Sequence, residues 1–373
     1  AKGSVAINLS GCGNVITNNN IGGGSFHAIT YYGNDHEIKN NEIYNMNKCT
    51  DDVGAVYTGR NYISRGTVIS YNYLHDLNPV IQTSRGFNLA IYWDDSACGQ
   101  NAHHNIIVNS NLPIYGCGQM NFYKNNIMVN SREGMNFNNN YTTASRIATW
   151  QTSVKNILDK ELYFERYDNF ELGATDKWAQ RNAFNEVTGN LNVNCGEITL
   201  SSHTIDYGKV ENNIKLDECS DFVDPENQDY RIKSDSETAK MLPGLLTENF
   251  DIESIGTSQE IVLNSETAPF RQFSPKNGTK GVKSTDLTLN WEPAMGANRY
   301  RVVIAKDPEL KNIVYDEEVH YNHYIVPYLD GGKTYYWKVY AKNISREFGA
   351  EWESNGAVYM FTTALYDVVD TSK

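Results

Sequence analysis

Short apolar pieces alternate with polar corners from the beginning of the chain, and the corners repeat. Asn-x-(Ile/Leu/Met) recurs at Asn19, Asn41, Asn72, Asn105 and Asn126, at intervals of 22, 31, 33 and 21 residues. Between the asparagines lie Ala28-Ile29-Thr30, Ala55-Val56-Tyr57, Ala90-Ile91-Tyr92 and Pro113-Ile114-Tyr115, each followed within a few residues by Gly33, Gly59, Gly99 or Gly116. A repeat of this length, with two or three very short strands per turn, predicts stacked coils of a parallel β-helix. Asparagine suits the corners because it tolerates left-handed backbone, and its amide can bond to the amide of the coil above. The two long intervals imply inserted loops, and these carry Asp51-Asp52 and Arg85-Gly86.

The coil pattern runs from about Gly3 to Arg132. It then gives way to apolar residues at three- and four-residue spacing in 143–150, 154–158 and 163–167, which predicts amphipathic helices. The asparagine register returns at Asn190 and Asn213, so the helices form an excursion between coils, placed to cap or flank a cleft. Residues 222–225 and 229–232 read as a last, looser coil. Beyond a linker at 263–270, the alternation Leu287, Leu289, Trp291, then Tyr300, Val302, Ile304, then Tyr335, Trp337, Val339 predicts antiparallel strands of a sandwich. The turn ending in Tyr335 matches a tyrosine corner, and residues 271–366 resemble a fibronectin type III domain with Trp291 as its core indole. Its expected role is that of a spacer or cleft wall, and residues 367–373 form a tail. The expected catalytic domain spans 1–262.

A net charge of −13 and the lack of a basic stripe exclude nucleic acid as a partner. No apolar stretch reaches transmembrane length, so no membrane insertion is expected. Six scattered cysteines form no C-x-x-C pair and imply neither a disulfide framework nor a cysteine-ligated metal. The first coil is already in register by Ile7, which leaves its edge uncovered. An N-terminal fragment of the same precursor that completes the β-helix is therefore an expected partner.

Two acidic pairs adjoin strands on consecutive coils: Asp51-Asp52 before Val53–Thr58, and Asp94-Asp95 after Tyr92-Trp93. Glycoside hydrolysis needs two carboxyl groups across the scissile bond, and aromatic side chains beside them can hold a sugar ring. Tyr57, Tyr92, Trp93 and Tyr31 are the candidate ring-holding residues, with Arg60, His27 and His75 facing the same cleft. Aligning Ala55 with Ala90 sets Asp94 opposite Gly59, seven residues from Asp52, so the pair meets only if the backbone bends, for which Gly54 is a candidate. A calcium ion is the rival explanation for one acidic pair, since clustered aspartates are hard-cation ligands; the hydrolytic reading requires no cofactor. Arg60, Arg65 and Arg85 would supply the base of a uronate lyase. Ion pairing of at least two of them with Asp51, Asp52 or Asp76 is the plainer expectation.

The ordered set Asp52-x-Gly-Ala-Val-Tyr57, Asn72-Tyr-Leu-His75, Ile91-Tyr-Trp-Asp94-Asp95, His104-Asn105-Ile-Ile and Trp150-Gln-Thr-Ser resembles bacterial right-handed parallel β-helix glycoside hydrolases, glycoside hydrolase family 141 above all. That resemblance implies a secreted or surface enzyme acting on an oligo- or polysaccharide, fucosidase- or xylanase-like. Its catalytic carboxylates would be Asp52 and one of Asp94 and Asp95. The chain departs from the family in lacking its earlier coils and in having Trp93 where leucine is commoner. The alternatives are a polysaccharide lyase or epimerase and a non-catalytic carbohydrate-binding surface protein.

Overall fold

The spaced asparagines form the expected amide ladder, but the left-handed backbone expected of them falls on the residue before each. Seven two-residue corners join one strand to the next, each with a left-handed residue first and an asparagine second. Asn18, Asn40, Asn125 and Asn212 hold φ between 52° and 58°, and Tyr71, His104 and Gly189 take the same place on their coils. The following residues, Asn19, Asn41, Asn72, Asn105, Asn126, Asn190 and Asn213, form an unbroken ladder in which each Nδ2 donates to the next Oδ1 over 2.8 to 3.0 Å. The backbone N–H of each donates to the same oxygen. A second ladder runs from the Gln100 N–H to Asn121 and from the Asn121 N–H to Asn185, both over 2.9 Å.

The computed structural model describes residues 4–48, 50–77, 87–137, 144–167, 170–173, 175, 177–179, 181–257, 270–292, 294, 297, 299–319, 322–342 and 357–365, which fall into two units, Ala1–Ser258 and Gln259–Lys373. The first is a solenoid of three parallel sheets with seven strands each. The first sheet stacks Ile7–Leu9, Ile29–Tyr31, Val53–Thr58, Asn88–Trp93, Leu112–Gly116, Asn136–Phe137 and Thr199–Leu200. The second begins with Val15–Thr17 and ends with Lys209–Glu211; the third begins with Asn20–Gly22 and ends with Ile214–Leu216. Ile29, Ile38, Ile43, Val56, Ile69, Leu74, Ile91, Ile107 and Ile114 fill the column, all of them fully buried.

The helical excursion appears as Ala144–Lys155, Lys160–Arg166 and Phe170–Gly173, lying between the first-sheet strand Asn136–Phe137 and the second-sheet strand Glu186–Thr188. Trp150 and Phe170 pack with Tyr62 and Cys98 in one apolar cluster, which docks the helices on the coils. The segment expected to form a last coil differs: Phe222–Asp224 and Asp229–Ile232 pair antiparallel as a hairpin. Phe222, Ile232, Leu242 and Leu246 instead share a cluster with Ile106, Ile127 and Leu191 of the third sheet. The reason is compositional, because no ladder asparagine follows Asn213 to carry another corner.

The second unit contains a three-stranded sheet of Gln272–Ser274, Thr285–Trp291 and His323–Tyr328, and a five-stranded sheet of Thr279–Val282, Tyr359–Thr363, Thr334–Lys342, Arg299–Ala305 and Ile313–Val319. Leu289, Trp291 and Val326 of one and Val302, Trp337 and Phe361 of the other belong to one buried cluster. The Tyr335 hydroxyl accepts the Asp330 N–H at 2.9 Å, closing the turn that precedes its strand. The expected linker lies almost wholly outside the described residues.

Candidate active site

The two acidic pairs sit at opposite ends of two adjacent strands of the first sheet. Asn88–Trp93 runs parallel to Val53–Thr58 with Tyr92 beside Tyr57 and Trp93 beside Thr58. Asp52 therefore precedes one strand and Asp94 follows the other, so straight strands would hold the acids far apart. The strands are not straight. Side chains alternate faces in a flat strand, yet Leu89 and Tyr92 both belong to the outer cluster while Ala90 and Ile91 both enter the core. The break falls beside Gly54, where a Cβ would run into Tyr92 Cβ. At the other end, a Cβ on Gly59 would stand 2.6 Å from Asp94 Cβ, so this glycine makes room for the acid.

The bend links the acids through two tyrosines. Tyr92 donates its hydroxyl to Asp52 Oδ1 at 2.9 Å, and Tyr57 donates to Asp94 Oδ2 at 3.0 Å. The two rings meet edge to face with centroids 5.2 Å apart. Burial first, and the charges of Asp94 and Asp52 next, push the Tyr92 hydroxyl far above its ordinary pKa; burial and Asp94 do the same to Tyr57. Both hydroxyls therefore stay protonated and act as donors. Asp94 Oδ1 also accepts the Asp95 N–H at 2.8 Å. Asp52 is exposed and lies in left-handed backbone at φ 60°.

Two guanidinium groups face the second acidic pair. Arg60 Nε lies 3.7 Å from both Asp94 Oδ2 and Asp95 Oδ2, and the charge of Asp94 above all raises the Arg60 pKa. Arg146, on the Ala144–Lys155 helix, reaches Asp95 Oδ2 at 2.6 Å. Arg146 has no signature in the sequence. Its place follows from the solenoid: the excursion leaves the same corner, after a first-sheet strand, at which Asp95 lies two coils earlier. Among the described residues no group of three or more His, Cys, Asp or Glu could hold a metal ion.

The other candidates divide. His27 joins the site as a buried ring stacked on Tyr57 at 4.7 Å, with Nδ1 2.7 Å from the Gly54 carbonyl; burial lowers its pKa. Asp51 caps the turn, its Oδ1 accepting the N–H groups of Asp52 and Phe87. Trp93 and Tyr31 correct the sequence reading: both point into the core and are fully buried, because the residue after an outward tyrosine or threonine must face inward. His75 is a third correction. It lies on the third sheet, fully buried, with Nδ1 2.9 Å from Asp76 and Nε2 3.3 Å from Glu42. Arg65 is a fourth, for its guanidinium lies over the Tyr62 and Phe170 rings at 4.6 and 4.7 Å rather than on an aspartate. Arg60 pairs with Asp94 and Asp95 instead of the aspartates expected, and Arg85 lies outside the described residues. No family model, curated protein or solved structure matches the chain.

Proposed function

We infer that the protein is a glycoside hydrolase acting on a plant or host polysaccharide, fucosidase- or xylanase-like, through Asp52 and Asp94. The observation that carries this reading is the continuous series Asp52, Tyr92, Tyr57, Asp94 on the outside of the first sheet. In this reading Asp94, with a donor on each oxygen, is the acceptor group that attacks the anomeric carbon or activates water. Asp52, exposed and with one tyrosine donor, is the group that protonates the leaving oxygen. Tyr57 offers its ring to the sugar, and Arg60 and Arg146 hold Asp94 and Asp95 in place. A right-handed β-helix, a fibronectin type III-like second unit acting as a spacer, and a secreted or surface bacterial location belong to the same proposal.

The polysaccharide lyase keeps one observation in its favour, the Arg60 side chain, which is 74% exposed beside the acids. Two others oppose it. A raised Arg60 pKa works against a neutral arginine base, and four aspartates against two arginines meet a uronate with net negative charge. A screen of plant and host glycans, with products followed by NMR and by ultraviolet absorbance, separates the readings. Saturated sugars with a defined anomeric outcome support hydrolysis; unsaturated products that require calcium establish the lyase; glycan binding without sugar release establishes a binding protein.

A further inference from the structure

The bend that lets Asp52 meet Tyr92 turns the backbone out of its regular pattern, and one side chain answers for it. Along a flat strand, successive carbonyls point to opposite neighbours. In Val53–Thr58 two in a row face the same one. The Ala55 carbonyl accepts the Ala28 N–H at 3.0 Å, and the Gly54 carbonyl is met by Nδ1 of His27 at 2.7 Å, both on the preceding coil. Nδ1 also stands 3.2 Å from Gly54 N, but the shorter contact requires the hydrogen on Nδ1, so the imidazole is the donor. Burial, which lowers the His27 pKa against the opposing effects of the Gly54 carbonyl and Asp52, favours the neutral ring. Its one hydrogen is then committed to Gly54. The same ring, only 6% exposed, stacks on Tyr57 with centroids 4.7 Å apart and planes 26° apart.

We propose that His27 is a positioning residue of this site, one imidazole that fixes both the Gly54 peptide, on which the place of Asp52 depends, and the Tyr57 ring, whose hydroxyl bonds Asp94. The inference rests on the glycosidase reading and adds a residue to it. Among the described residues neither nitrogen of His27 is hydrogen-bonded to a carboxylate, so it acts through Gly54 and Tyr57. The two contacts need different properties of the side chain. A donor at Nδ1 serves the carbonyl, and a flat ring serves the tyrosine. Histidine has both.

The test uses the full chain, the best substrate of the glycan screen, and His27→Phe, which keeps a ring and loses the donor, beside His27→Asn, which keeps a donor and loses the ring. Each should lower kcat roughly three- to tenfold with KM within about twofold of the parent value, since the groups displaced act on the transition state. Combined with Tyr92→Phe, His27→Phe should cost less than it does alone, because the bond from Tyr92 to Asp52 that the bend serves is already gone. Urea unfolding of each variant reports whether it is folded, and if His27→Phe does not fold, His27→Asn is carried through the same cycle. Parent-like kcat in the folded variants, or a loss that adds in full to that of Tyr92→Phe, overturns the role of His27 and leaves the glycosidase reading standing. A parent protein that releases no sugar from any glycan of the screen overturns that reading and the inference with it.

Discussion

Tyr92 gives its hydroxyl hydrogen to Asp52, a residue of the preceding coil, at 2.9 Å. That contact exists because the strands bend beside Gly54, and it places an acid from the start of one strand within reach of a ring near the end of the next. A hydrogen bond to a charged group is worth about 1.5–3 kcal/mol. Tyr92→Phe should therefore lower kcat about 10- to 100-fold, by the rate equivalent of that energy. The melting temperature should fall by only a few degrees, because the ring keeps its packing against Tyr115 and Phe87.

Gly59 tests the other end of the pair. In Gly59→Ala the new methyl must displace Asp94, whose Cβ stands 2.6 Å from its position. Activity should fall by more than tenfold while glycan affinity, measured by calorimetry, changes little. Unchanged activity would show that Asp94 can move without consequence.

Arg146 ties the helical excursion to the site. Its side chain is 37% exposed, so loss of the ion pair should cost only about 1 kcal/mol of stability after solvent screening. Arg146→Ala should nonetheless reduce kcat with little effect on KM, since Asp95 loses the group that fixes it, and Arg146→Lys should restore part of the loss. Equal behaviour of the two variants would argue for a purely structural role.

Much of this was legible in the sequence. The asparagine spacing gave the corners because the second position of each two-residue turn needs a side chain that donates to one neighbouring coil and accepts from the other, and the column then follows from the apolar pieces between. The acidic pairs were legible because they adjoin strands. What was not legible depends on departures from regularity. A bend beside Gly54 reverses which side chains share a face, and the single-residue alternation that sends Tyr92 outward sends Trp93 into the core. Arg146 was hidden because a helical excursion carries no coil register. The sequence of 222–232 reads as a coil although it forms a hairpin, because short apolar strands look alike whether they pair in parallel or not.

The ladder provides a stability test. Asn72 accepts from the Asn41 side chain and N–H, and donates to Ile38 O and Asn105 Oδ1. Asn72→Ala leaves buried partners unsatisfied and should cost about 2–3 kcal/mol in urea unfolding. A cost below about 0.5 kcal/mol would mean that the ladder decorates the column rather than holding it.

His75 sets a pH dependence of known sign. Burial acts to lower its pKa, but hydrogen bonds to Asp76 and Glu42 outweigh that and raise it. A histidine with a raised folded pKa contributes stability that is complete below the unfolded value of about 6.5 and is lost as pH climbs through the folded value. The other perturbed histidines, His27, His103, His104 and His203, are lowered and act in the opposite sense. The difference in unfolding free energy between the parent protein and His75→Gln should therefore be largest near pH 6 and shrink above it. A difference that grows with pH would show that the ring is buried neutral.

The most direct measurement compares sugar release by the parent protein, Asp52→Asn and Asp94→Asn on the best substrate from the glycan screen, alongside their melting curves. Both variants should melt near the parent temperature and lose hydrolysis by at least about a thousandfold, as expected when one of two cooperating carboxyl groups is removed. Near-parent hydrolysis in both would contradict the pairing of Asp52 with Asp94.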